Sequence, residues 1–128
     1  MPVKMTPTRI KHLLNEEKNK LMFLTLNDNK HNMYVDPGYE TNPSVTDVGN
    51  CTVPYCGDSE QFPKSTIVII NMDTANVIAY IWQYISTDGD LVRYSKDGWH
   101  ASGHKLNDAG GYMNITVKAD GTIVGDKI

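Results

Sequence analysis

Residues 77–102 read VIAYIWQYISTDGDLVRYSKDGWHAS, and two dipeptides within them, Asp88-Gly89 and Asp97-Gly98, determine how the chain turns back on itself. Asp-Gly suits a type I′ hairpin turn, because Gly has no Cβ to clash at positive φ and Asp tolerates that region. Two-residue hairpins at these sites place Tyr84 opposite Arg93, Ser95 opposite His100, and Arg93 opposite Ser102. Side chains alternate across a strand, so Tyr80, Trp82, Tyr84, Arg93, Ser95, His100 and Ser102 share one face. The other face carries Ile81, Ile85, Val92, Tyr94, Trp99 and Ala101, with Gln83 and Lys96 as polar exceptions.

Outward from this stretch, Thr66–Ile70 is a continuous apolar and β-branched run, the mark of a strand covered on both faces. Val77–Ile85 is the longest strand candidate. Leu21–Leu26 and Asn32–Val35 flank the polar turn Asn27-Asp28-Asn29-Lys30. Leu91–Ser95, Trp99–Ser102, Tyr112–Lys118 and Thr122–Gly125, the last two joined across Asp120-Gly121, extend the pattern into a meander.

The N-terminal segment gives a different signal. Thr6 suits an N-cap and Pro7 the first helical position, while Ile10, Leu13, Leu14 and Leu21 recur at helical spacing and Glu16 can pair with Lys20. These features predict a helix over Pro7–Lys20. Residues 36–64 hold Pro37, Pro43, Pro54 and Pro63 with Gly38, Gly49 and Gly57 and show no sustained period, which predicts a long irregular loop. The expected fold class is α+β, one domain over 1–128, with the N-terminal helix packed on an antiparallel β-meander of about five to seven strands.

With 128 residues and 40% hydrophobic content, the chain is long enough for a substantial core. A net charge of −3 and a pI near 5.7 argue against affinity that rests on neutralising many phosphates. No apolar run approaches the roughly 20 residues of a membrane-spanning helix, which leads to the expectation of a cytoplasmic location, in its own cell or a host's. Lys outnumbers Arg 10 to 2 and Asn outnumbers Gln 11 to 2, a skew toward AT-rich codons that fits an AT-rich bacterium, a phage or a mobile element.

The sharpest candidate site is the aromatic–Arg face. Arg93 beside Tyr84 and Trp82 can stack on either ring while its N–H fork meets an anion or carboxylate. The face suits a small non-catalytic binding protein, of inhibitor, immunity or anti-defence type, that engages a partner protein or a small anionic ligand such as a nucleotide. The competing structural explanation is that Tyr80, Trp82 and Tyr84 form a second core layer beneath residues 36–64. A homo-oligomer is compatible with an apolar face and open strand edges. No cofactor is expected.

Two catalytic or metal alternatives draw on the same region. His100, His104 and Arg93 could supply the base, acid and cation of a metal-independent ribonuclease. Cys51, Cys56, His100 and His104 carry the donor set of a structural zinc site, although paired thiols in a chain of this kind are more often plain buried or exposed cysteines.

Overall fold

The computed structural model describes residues 6–26, 31–38, 42–87, 89–99 and 103–128. Ten strands fill most of that chain: β1 Thr8–Asn15, β2 Leu21–Leu26, β3 His31–Val35, β4 Ser44–Thr52, β5 Thr66–Asn71, β6 Val77–Ser86, β7 Gly89–Ser95, β8 His104–Asp108, β9 Gly111–Val117 and β10 Ile123–Lys127. They form a four-stranded sheet ordered β10-β9-β1-β4 and a six-stranded sheet ordered β3-β2-β5-β6-β7-β8. Neighbours run antiparallel except β1 and β9, which are parallel. Among the described residues there is no α-helix, so the α+β class is corrected to a nearly all-β fold of two sheets. No helix among them is long and apolar enough to cross a membrane.

The helix expected over Pro7–Lys20 is strand β1, and the reason for the misreading is a β-bulge. The pairing of β1 with both neighbours shifts between Ile10 and His12. The extra residue, Lys11, advances the inward face by one, so Ile10 and Leu13 both enter the core at 0% exposure. Two inward apolar residues three apart reproduce the i, i+3 spacing of a helix. Within the stretch read as an irregular loop, Ser44–Thr52 is strand β4, paired with β1, and Phe62–Lys64 is a single 3-10 turn.

Between the sheets lies a core drawn from both: Ile10 and Leu13 of β1 and Met113, Ile115 and Val117 of β9 meet Leu21 and Phe23 of β2, Ile67 and Ile69 of β5, Ile81 of β6 and Val92 of β7. Its two open corners are each bridged by a side chain bonded to a backbone carbonyl. Asn107 Nδ2 of β8 donates to Gly125 O of β10 at 2.8 Å, and Thr46 Oγ1 of β4 donates to Tyr34 O of β3 at 3.5 Å. One end is sealed by Gln83, which is buried at 3% exposure. Its Nε2 donates to Thr6 O at 2.8 Å and to Asp90 Oδ1 at 3.0 Å, which accounts for a glutamine on an otherwise apolar face.

Asn15 clasps the opposite end. It is wholly buried, and its Nδ2 donates to Asn19 O at 2.9 Å, Asp36 O at 3.0 Å and Val35 O at 3.3 Å while its Oδ1 accepts from Glu17 N at 2.8 Å. The β1–β2 turn and the end of β3 are thereby tied to one side chain.

On the outer face of the four-stranded sheet, alternation with the core residues places Asp47, His12, Asn114 and Asp126 in one cross-strand row and Val45, Leu14, Thr116 and Val124 in the next. On the six-stranded sheet, Met22, Leu24, Val68, Ile70, Tyr80, Trp82 and Tyr84 point outward, alternating with the core residues of β2, β5 and β6. That outward apolar set positions the candidate site.

Candidate aromatic site

The hairpin between β6 and β7 forms two residues out of the expected register. Tyr80 faces Ser95, Trp82 faces Arg93 and Tyr84 faces Leu91, with Ser86 opposite Gly89, so the expected pairing of Tyr84 with Arg93 is corrected. A slip of two leaves every side chain on its own face, because the strand period is two. Tyr80, Trp82, Tyr84, Arg93 and Ser95 therefore still share the outer face, and the Arg93 guanidinium carbon lies 5.5 Å from the Tyr84 ring centroid.

The second hairpin is longer than the Asp97-Gly98 signal implies. β8 is His104–Asp108, with Tyr94 opposite His104 and Arg93 opposite Lys105, so Lys105 stands where Ser102 was expected. Ser95 Oγ donates to Asp97 Oδ1 at 2.9 Å and accepts from Asp97 N at 3.2 Å, a local turn that opens the wider connection. His100 and Ser102 lie outside the described residues. Trp99, expected on the opposite face, packs on the outer one, 5.5 Å from Trp82 and 5.9 Å edge-on from Tyr84 between ring centroids.

A segment of chain that follows β4 covers the centre of this face. Beyond the end of β5, Gln83 N donates to Pro54 O at 2.9 Å and Cys56 N donates to Gln83 O at 3.0 Å, so residues 54–56 take up the free edge of β6. Gln61 N donates to Asp58 Oδ1, and Gly57 N to Gln61 Oε1. These bonds set the loop so that the following 3-10 turn presses Phe62 edge-on against Trp82 at 5.4 Å, and 5.2 Å from Tyr80. Trp82 and Cys56 are fully buried and Phe62 nearly so, with Tyr80, Tyr84 and Trp99 partly buried around them. The Trp82 indole nitrogen is buried with no hydrogen-bond partner among the described residues. Tyr55, 40% exposed, stacks on Tyr84 at 6.5 Å.

Arg93 is engaged differently from the expectation. It is 1% exposed; Nε donates to Tyr84 O at 3.1 Å, and Nη2 donates to Ser86 Oγ at 2.9 Å and to Gly89 O at 3.3 Å. The guanidinium thus ties together the β6–β7 hairpin from beneath the aromatic layer. These bonds use the fork that an anionic ligand would need.

The remaining candidates do not converge. His104 is exposed and lies against Tyr94, 5.4 Å between ring centroids, on the opposite face of the sheet from Arg93. Cys51 packs against the inter-sheet core with its Sγ 3.1 Å from Thr25 Oγ1, whereas Cys56 belongs to the aromatic layer, its Sγ donating to Asp58 O at 3.2 Å. Burial pushes both thiols above their ordinary value, an effect partly offset by those hydrogen bonds. Among the described residues, no group of three or more His, Cys, Asp or Glu is placed to hold a metal ion.

Tyr55, Phe62 and Trp99 are the members of the cluster that the alternation pattern does not find. Tyr55 and Phe62 come from a stretch without a period, and Trp99 from a connection longer than its turn signal. Neither a protein-family model, nor a curated protein, nor a solved structure matches this chain.

Proposed function

We propose that this chain is a small non-catalytic binding protein that engages a partner protein through the rim of its aromatic layer. The observation that carries this reading is the set of rings Tyr55 and Trp99, each in contact with Tyr84 and all three partly exposed, beside a buried base of Trp82 and Phe62. Tyr and Trp held in this way give large contact area at low entropic cost, and such residues dominate the energetics of interfaces. The engagement of Arg93 with the hairpin favours a protein over a small anion as the occupant. The size, acidity and AT-rich codon skew fit an inhibitor or immunity-type protein of a phage or mobile element.

The test is capture from a lysate of the source cells, followed by reconstitution with the purified partner. Tyr55→Ala should weaken binding by about 2 kcal/mol, roughly thirtyfold, without moving the thermal midpoint. Full affinity in both Tyr55→Ala and Trp99→Ala chains would exclude the rim.

A further inference from the structure

The segment that supplies Tyr55 to the aromatic rim also supplies charge beside it. Gly57 lies against the Tyr55 ring: a Cβ there would stand 3.4 Å from a ring carbon and 3.7 Å from the hydroxyl oxygen. The turn that follows is closed by Gln61, whose N–H donates to Asp58 Oδ1 at 2.9 Å and whose Oε1 accepts from Gly57 N at 2.9 Å. These bonds hold Asp58 and Glu60, both exposed, on the short turn beside Tyr55. Among the described residues neither carboxylate has an ion-pair partner. One face of the Tyr55 ring is turned to Tyr84, 6.5 Å away between centroids and inclined by 25°. The opposite face of this ring, 40% exposed, is the one a partner can stack on.

The cations of this face are engaged or stand away from Tyr55. Arg93 is 1% exposed beneath Tyr84 and bonded to the β6–β7 hairpin. Lys105, opposite Arg93 in register, is paired with Asp108 at 3.1 Å. Lys64 ends the 3-10 turn and leads into β5. That turn packs Phe62 at the Tyr80 and Trp82 positions of β6, whereas Tyr55 packs at Tyr84. Asp58 and Glu60 therefore set the sign of the charge at the Tyr55 ring. An open aromatic face beside carboxylates complements a guanidinium: the ring quadrupole attracts the cation, the planar group stacks, and its N–H fork matches carboxylate oxygens. An anionic occupant meets like charge here. A second copy fits poorly on the same ground, because the chain carries a net charge of −3 and one of its two arginines, Arg93, is buried.

We infer that the rim takes a basic segment of the partner protein, with an arginine side chain laid on Tyr55 and its fork toward Glu60 and Asp58. The inference rests on the proposed binding role of the rim and names the chemistry of the surface that meets it.

The probes are two short synthetic peptides of equal length, one alternating Gly with Arg and the other Gly with Glu. They are titrated into ring-labelled protein at about 0.1 M salt, where exposed charges more than about 10 Å apart are largely screened. The Arg peptide should shift the ring signals of Tyr55, and the Glu peptide should not. Glu60→Lys should weaken the Arg-peptide response at least about fivefold. Asp126→Lys, the same change of charge on exposed edge strand β10 of the other sheet, should leave that response unchanged, and both variants should keep the wild-type thermal midpoint. Binding of the Glu peptide as tight as that of the Arg peptide, equal weakening by the two substitutions, or an Arg-peptide response that spares Tyr55 each overturns the inference. The two readings fail separately: any of these results together with a loss of affinity for the purified partner in Tyr55→Ala removes the preference for cations and keeps the rim, whereas full partner affinity in both Tyr55→Ala and Trp99→Ala removes the rim itself.

Discussion

Arg93 and Tyr84 are joined twice: the guanidinium lies 5.5 Å from the Tyr84 ring centroid, and its Nε donates to the carbonyl of the same residue at 3.1 Å. One side chain thus supports the aromatic ring from beneath and fixes the backbone that carries it. Tyr84 in turn contacts Tyr55 and Trp99, whereas Arg93 itself does not reach the surface.

Removing Arg93 should therefore destabilise the fold. Arg93→Ala leaves the carbonyls of Tyr84 and Gly89 without this donor in a buried setting, at a cost of about 3 kcal/mol. For a chain of this size that lowers the thermal midpoint by about 10 °C. Scanning calorimetry of the variant would show it, and a midpoint unchanged from wild type would mean that the guanidinium is dispensable to the hairpin.

The Asn15 clasp makes a comparable claim at the other end of the sandwich. Asn15→Ala removes the donor to the Val35 and Asp36 carbonyls and the acceptor for Glu17 N, and should cost about 3 kcal/mol. Asn15→Asp should cost more, because a carboxylate would face carbonyl oxygens. Equal stability of the Ala and Asp variants in urea titrations would show that the side chain is not the tie described.

Cys51 and Cys56 predict an alkaline limit. Burial raises both thiols above their ordinary 9.0, so on raising the pH the unfolded chain loses these protons first. The native state then holds more protons than the unfolded state, and stability falls as pH rises above about 9 toward the folded-state values. A chain carrying Cys51→Ser and Cys56→Ala should show a shallower loss of stability between pH 8.5 and about 10 than wild type. Parallel stability–pH curves for the two proteins would contradict the assignment.

Much of the fold was legible wherever alternation ran undisturbed. Leu21–Leu26, Thr66–Ile70, Val77–Ile85 and Leu91–Ser95 all lie within or across strands of the structure. The Pro7–Lys20 helix was not, because the bulge at Lys11 gives a strand the apolar spacing of a helix, and Thr6-Pro7 happens to supply a plausible cap. β4 was hidden for a related reason. It breaks its alternation at Gly49, whose φ is +67°, with Asp47 Oδ1 accepting from Gly49 N.

Membership of the site face was readable, but the pairing within it was not. A hairpin that slips by two residues keeps Tyr80, Trp82, Tyr84, Arg93 and Ser95 together while changing each one's partner. Burial was the harder quantity, because it depends on where residues 54–65 cross the sheet, and no period marks that path. The engagement of Arg93 follows from that burial together with the carbonyls at the hairpin end.

The most direct test of the account compares two single variants against the reconstituted partner, measuring partner affinity by calorimetric titration and the thermal midpoint on the same preparations. Tyr55→Ala is expected to lose affinity by about 2 kcal/mol with a midpoint close to wild type, because Tyr55 is exposed and stacks on Tyr84 alone among the described rings, whereas folded Arg93→Ala retains most of the affinity but melts about 10 °C lower. The reverse pattern, with affinity lost in Arg93→Ala at an unchanged midpoint and full affinity in Tyr55→Ala, would contradict the rim as the binding surface and make the guanidinium itself the binding group.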